Sequence, residues 1–575
     1  MRGPLVLVLA IQAFQGLGLT AELDLLSSQH LYDWGFYGFY PQQTYKSFDL
    51  TAPLFNFLQW DEKCNDGFYM ITPKGRLVGS PGPVIFDYKG NLVWTTDEFG
   101  QVADLQVQTY NKTNYLTFWK SIEGIYAGFG RGEYLMLDEN YQVFRTFRPV
   151  GDDLMGDLHE FKVTDEGTVL MTVYAPKKAD LSPIGGPEEG WIIDSMFQEV
   201  DIETGKLLFH WHASEHVDID ETIRYFAGAD DGESPHSGFD FFHINSLDKD
   251  EEGNYLVSGR HTKTIHLISR EDGKIIWTLG GKKNMFQDLS EGLATDFHYQ
   301  HHIRMHENNT ISLFDNARAE RQGPKSPHDY SRGLVIKLDD IKLTATLVQQ
   351  FWDPQHPKHP DSQGSAQLLE ETGGMLVDYG MYPAFTEFGP DGDVLCDVRI
   401  APWVLYRVGA VVSYRGFKGH WVGKPTSHIN VYLKPSDGVL YVSWNGDTEV
   451  SQWVLQGADW EDVSRERWMN LAARPKDGFE TGFDMEEDMP EYVRVAGVAQ
   501  DGRILKYSSV IKRTYGNARS PDQLLTILKT ILTIVKLSIL IFVALVILRF
   551  KDVVEEWGCC SLTFEMERVG IWEAR

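Results

Sequence analysis

Three histidines open short alternating apolar runs, and their spacing is the first sign of chemistry in this sequence. His159 stands ten residues before Val169, His301 ten before Ile311, and His243 twelve before Tyr255 across a longer acidic turn. Each later residue lies in the second run of the same repeat, so the imidazoles occupy equivalent positions. Arg332 opens the third run of the His301 repeat and is expected at the same end. Imidazoles near neutrality act as nucleophile or as acid and base, while a guanidinium holds a tetrahedral oxyanion by forked hydrogen bonds. A metal is the rival, since three imidazoles suit zinc or copper; Arg332 beside them favours an anion over a cation. One such histidine alone would more often bond a neighbouring strand. Three at matched sites turn the argument towards function.

The elements that must position them are read from the stretch Phe239 to Gly281. Phe241 to Ser246, Asn254 to Ser258, Thr264 to Ile268 and Lys274 to Leu279 are four short runs separated by acidic, Gly-closed turns. Four such antiparallel strands make one propeller blade. Five partners align with it. Blade one is read as Phe68 to Ile71, Arg76 to Val78, Pro83 to Asp87 and Gly90 to Trp94, and blade two starts at Asp104. Blade three holds Leu158 to Val163 and ends near Trp211, blade five spans Tyr299 to Trp352, and blade six runs from Gly364 to Val398. The first strand of each blade lines the central channel. Strand alternation then puts the insertions Ala175 to Asp194, Ser214 to Gly238, Lys282 to Phe297 and Ala317 to Tyr330 on one face, the expected mouth. His302 should point the other way if its strand is regular, and Gln367 takes the comparable place in blade six.

Period-two runs continue after the ring, from Ile429 to Leu433, Leu440 to Trp444, Val450 to Val454 and Tyr492 to Ala496. They predict a small fibronectin type III-like sandwich with Trp444 and Tyr492 as core aromatics. The fold class expected is therefore all-β: a six-bladed propeller over 45–425, a sandwich over 426–512, a linker over 513–529 and a transmembrane helix over 530–549. Residues 1–20 read as a cleaved signal peptide and 550–575 as a cytosolic tail. Thr530 to Leu548 is apolar apart from Lys536 and a few hydroxyls, which is long enough to cross a bilayer. A single-pass, type I protein of the secretory pathway follows, and Cys559 and Cys560 just past the span could be acylated or remain free thiols. The sequons at Asn111 and Asn308 would then be open to glycosylation. Cys64 and Cys396 are the only cysteines before the span, so they form either one disulfide joining the first and last blades or two buried thiols. A net charge of −29 with no basic cluster excludes nucleic acid as a partner.

The segments Gly79 to Pro83, Asp157 to Phe161, Phe242 to Ser246, Gln300 to His302, Leu313 to Asn316, Ser331 to Gly333 and Ser443 to Gly446 resemble the arylsulfotransferase family in its eukaryotic, largely fungal branch. The resemblance covers about residues 45 to 510. It implies a six-bladed propeller and transfer of sulfuryl from an aryl sulfate to a phenol through a channel histidine, assisted by further histidines and an arginine. No Gly-rich phosphate loop is present to hold a nucleotide donor, so no cofactor is expected. The bacterial members use a late-blade histidine as sulfuryl acceptor, whereas Gly364-Ser365-Ala366-Gln367 offers none, and His420 is a poor replacement. Either His243 or His301 has taken over, or the chain binds sulfated or acidic ligands as a receptor or scaffold. On the transfer reading His301 is the expected nucleophile, His243 the acid and base, His159 its neighbour and Arg332 the sulfuryl clamp.

Overall fold

The computed structural model describes residues 29–513, except 65–66, 127, 229–230, 319–325, 435–437 and 461–466. The expected signal peptide, membrane span, linker residues beyond 513 and tail with Cys559 and Cys560 lie outside the described residues. Among the described residues, no helix is long and apolar enough to cross a membrane.

The chain is all-β, and six four-stranded antiparallel units follow one another around a channel. Blade four is Ile244–Lys249, Tyr255–Gly259, Thr264–Ile268 and Ile275–Gly280, paired in that order. The turn chemistry that starts and stops these strands recurs. Asp250 accepts from the Asn254 amide at 2.7 Å, and Gly253 takes φ +83° to close the turn. Asp87 does the same for Asn91 at 2.8 Å in blade one. The apolar faces of adjacent blades interlock: Leu256, Ile265 and Leu279 of blade four pack with Ile303, Leu313 and Leu334 of blade five. Burying each such side chain contributes about 1.5–3 kcal/mol.

Ring closure departs from the sequence reading. Phe68–Ile71 is the second strand of blade one, whose inner strand is Phe417–Gly419, from the far end of the ring; Arg76 to Val78 forms no strand. Blade six gains a fifth, outer strand, Asn56–Gln59. Two exchanges of this kind tie both ends of the chain into the circle and leave few free edges. Cys64 follows that outer strand and is joined to Cys396 of blade six, so the disulfide fastens the added strand's exit rather than bridging blade one to blade six.

Residues 430–512 form two facing sheets. Trp444 and Trp453 are in their core, whereas Tyr492 is half-buried beneath Lys512, so Trp453 holds the place expected for Tyr492. The sandwich docks on blade one through Asn445, which accepts from the Thr95 amide at 3.1 Å and donates to its carbonyl at 2.8 Å. Asn111 and Asn308 are exposed in hairpin turns between first and second strands, with φ +49° and +57°. Asparagine adopts that conformation more readily than most residues.

Candidate active site in the propeller channel

The inner strands of blades two to five are each bulged near the same end: between Ala103 and Gln106, Gly156 and Phe161, Ile244 and Ser246, and His301 and Arg304. A bulge bends the strand and re-aims side chains, here into the channel. His302 sits in the last of these with φ +51°, bonded from Nδ1 to the Ala366 carbonyl at 3.0 Å.

His159 and His243 meet there, ring centroids 4.8 Å apart and nearly perpendicular. Each is backed by a carboxylate a few residues upstream. His159 Nδ1 bonds Asp157 Oδ2, which also accepts from the His159 amide at 3.0 Å. His243 Nδ1 bonds Asp240 Oδ2 at 2.5 Å. A carboxylate only accepts, so both rings carry a proton on Nδ1, and neither Nε2 has a hydrogen bond among the described residues. Burial lowers His243 to about 4, an effect Asp240 opposes only in part, so the imidazole is neutral at pH 7. Burial pushes the Asp240 carboxyl up, but His243 and His261 outweigh it and hold it well below the usual range.

His261, unremarked in the sequence, comes from the turn between the second and third strands of blade four. Its ring centroid is 4.8 Å from that of His243. Arg260 Nη1 donates to His261 Nε2 at 2.7 Å, so its Nδ1 holds the proton and donates to the Asp240 carbonyl at 2.8 Å. The insertion Ser214 to Gly238 grips this turn: the Ile223 amide and Thr222 hydroxyl donate to the His261 carbonyl at 2.7 and 3.2 Å. Asp240, His243 and His261 place ligand atoms within 4.8 Å of one another, a spacing open to a metal. The Arg260 guanidinium on His261 Nε2 answers that nitrogen without one and repels a cation, which favours an anionic guest.

His301 is in the same end of the channel but differently bound. The Gln363 amide donates to its Nε2 at 3.3 Å and its Nδ1 donates to Asn316 Oδ1 at 2.7 Å, so both nitrogens are engaged. Burial, then Arg260, holds its pKa well below normal. Arg332 is elsewhere. Its register partner is Asp315, whereas His301 pairs with the adjacent Phe314. Neighbouring rows face opposite sides of a sheet, so the two side chains project from opposite faces of blade five. Arg332 Nε bonds Asp315 at 3.0 Å and Nη1 bonds Gln350 at 2.9 Å, far from a clamp on the imidazoles. The guanidinium acting on His243, His261 and His301 together is Arg260. The signals that were there to find are an Asp two or three residues before a strand histidine, in Asp157-Leu158-His159 and Asp240-Phe241-Phe242-His243, and the Arg260-His261 pair at a hairpin tip.

Aromatic rings wall the cluster. Phe129 lies 5.5 Å from His243, Tyr414 lies 5.4 Å from His159, and Tyr174 stands 5.7 and 5.9 Å from His159 and His243. Arg260 stacks over Tyr299 at 4.1 Å. A separate cleft of about 400 Å³ on blade three, lined by Leu154, Met196, His210 and His212 among others, does not include these residues.

The model of the arylsulfotransferase (ASST) family matches residues 106–401, which holds all four imidazoles, both carboxylates and Arg260. The chain belongs to the arylsulfotransferase family. No curated protein matches it. Among solved structures it is similar to a protein of unknown function from Bacteroides caccae, at 12% identity over 61% of this chain and 98% of that one, TM-score 0.35. A protein from Lactobacillus plantarum matches at 12% identity over 72% and 99%, TM-score 0.31. The quinohemoprotein alcohol dehydrogenase of Comamonas testosteroni matches at 12% over 66% and 69%, TM-score 0.29.

Proposed function

We propose that this family member transfers a sulfuryl group from an aryl sulfate to a phenol, with His243 as the covalent carrier. The observation that carries the reading is the pair of carboxylate-backed histidines whose Nε2 atoms have no partner among the described residues. His243 Nε2 attacks sulfur, the N–S bond forms, and the S–O(aryl) bond breaks with its electron pair leaving on the phenolate. His159, taken as entering this half with a second proton on Nε2 and its imidazolium held by Asp157, gives that Nε2 proton to the phenolate. In the second half His159 takes the proton of the acceptor phenol, whose oxygen attacks sulfur and returns the electron pair to His243. Arg260 offers charge to the sulfuryl oxygens, and Phe129, Tyr174 and Tyr414 suit an aromatic guest. His243 is 7% exposed against 3% for His159 and 1% for His301, which favours it as the first imidazole a ligand meets. The single span at 530–549 would hold this domain on the lumenal or extracellular side of a secretory membrane.

The test is incubation of the purified protein with a chromogenic aryl sulfate, with and without a phenol acceptor and a chelator. Turnover that requires phenol and ignores chelator is expected. Loss of turnover with chelator would transfer the Asp240, His243 and His261 group to a metal, and tight sulfate-ester binding without turnover would make the propeller an anion receptor.

A further inference from the structure

Lys74 is nine-tenths buried, and its ammonium makes no hydrogen bond or ion pair among the described residues. Its backbone is fixed: amide and carbonyl exchange bonds of 2.9 Å with Val412, and the Thr72 amide donates to Ser413 at 3.1 Å. Gly75 follows with φ +128°, and a Cβ there would lie 2.5 Å from the Ala410 carbonyl, so only glycine turns the chain away at this point. Lys74 therefore enters from blade one beside the segment that carries Tyr414, whose ring packs on His159. The one charge acting on it is Asp157, the carboxylate behind His159. Burial lowers the ammonium to about 8, and Asp157 restores only part of the loss.

We propose that Lys74 is the cationic seat of an anion subsite in the channel, taking an anionic oxygen of the ligand on the side of the histidine pair opposite Arg260. An ammonium this buried and without a partner among the described residues is costly, and a ligand oxyanion supplies the missing partner. The inference rests on the sulfuryl-transfer reading for its substrate class, but it is tested by binding alone.

Calorimetric titration with an aryl sulfonate, which keeps the anionic group but has no ester bond to break, is made on the full-length wild type, Lys74→Met, Lys74→Gln and Lys74→Arg. Either neutral variant should bind about 10- to 100-fold more weakly, the arginine variant should recover part of the affinity, and the melting temperature should hold or rise. Unchanged affinity in the neutral variants, or no sulfonate binding by wild type, overturns the proposal. Lysine-dependent sulfonate binding in a wild type that turns over no aryl sulfate upholds the subsite while the transfer reading falls.

Discussion

The channel holds two buried charged assemblies that share strands yet are built on opposite rules. Glu160, next to His159 in the same bulged strand, accepts from Arg304 through two bonds of 3.0 Å and from Arg415 at 3.3 Å. Arg415 also bonds Asp104 at 3.0 Å and the Asn245 carbonyl at 2.7 Å. Two carboxylates face two guanidiniums, and burial of Glu160 is outweighed by Arg304 and Arg415, which hold it below its ordinary value. Both Glu160 oxygens are taken, and Arg415 Nε is the one buried donor of this lattice without a partner among the described residues. One residue along the strand, His159 and then His243 keep Nε2 atoms without a hydrogen bond among the described residues, and Lys74 has no partner among them either. The lattice ties blades two, three and five to the segment that re-enters blade one. The histidine cluster exposes reactive groups on top of that plug. Carboxylates met almost bond for bond by guanidiniums mark the first as structure, and imidazole nitrogens left unbonded mark the second as chemistry.

The sharpest break between them is His243→Gln. Turnover should fall by about 10³-fold or more with the melting temperature nearly unchanged, because the carrier is lost while a polar side chain still faces Asp240. Steady-state kinetics alongside thermal melts read both quantities. An equal loss of stability would make His243 a member of the lattice. The converse variant is Glu160→Gln, which leaves Arg304 and Arg415 facing a neutral amide and should destabilise the fold by about 3–5 kcal/mol. Denaturant unfolding measures it, and a loss under about 1 kcal/mol would dissolve the distinction.

How much of this contrast could be read from the sequence depended on register. The inner-strand histidines were legible because alternation and Gly-closed acidic turns fix the strand starts. Arg332 was misplaced because one row separates Asp315 from Phe314, and that parity decides which face of blade five a side chain leaves. The first strand of blade one escaped because Phe417–Gly419 is three residues long and joins from the far end of the ring. His261 and Arg260 sit in a turn, where period-two reading is silent. Lys74 follows a run that pattern alone assigned to an inner strand, and its lack of a partner is a property of the assembled ring.

Acid should loosen both assemblies, through the imidazoles. Burial lowers His243 to about 4 and His266 to about 3, and His261, His301 and His302 also fall well below normal. Their unfolded counterparts titrate near 6.5, so between that pH and about 4 the unfolded chain binds more protons and stability falls as pH falls. At pH 5 His243 and His266 each cost about 2 kcal/mol relative to neutral pH, and the other three act in the same direction. Asp378, raised by burial to about 7, and Asp104, raised to about 6, act in the opposite sense, but the five imidazoles outnumber them. Melting curves should therefore shift steadily downward from pH 6.5 to pH 4.5. A flat or rising melting temperature over that window would mean that the rings are hydrated.

The smallest effect is expected at His301, the residue that spacing alone would choose as nucleophile. Its Nδ1–H is given to Asn316 and its Nε2 takes the Gln363 amide, so no lone pair is left for sulfur. Glutamine offers one donor and one acceptor at similar reach, so His301→Gln should keep both contacts in outline and slow turnover by about tenfold or less. Trapping with aryl [³⁵S]sulfate separates the two histidines directly. Acid-labile label should remain on the His301→Gln protein and vanish from His243→Gln. The opposite pattern would require the Gln363 bond to open before reaction, which would return the carrier role to His301 and leave His243 as its acid and base.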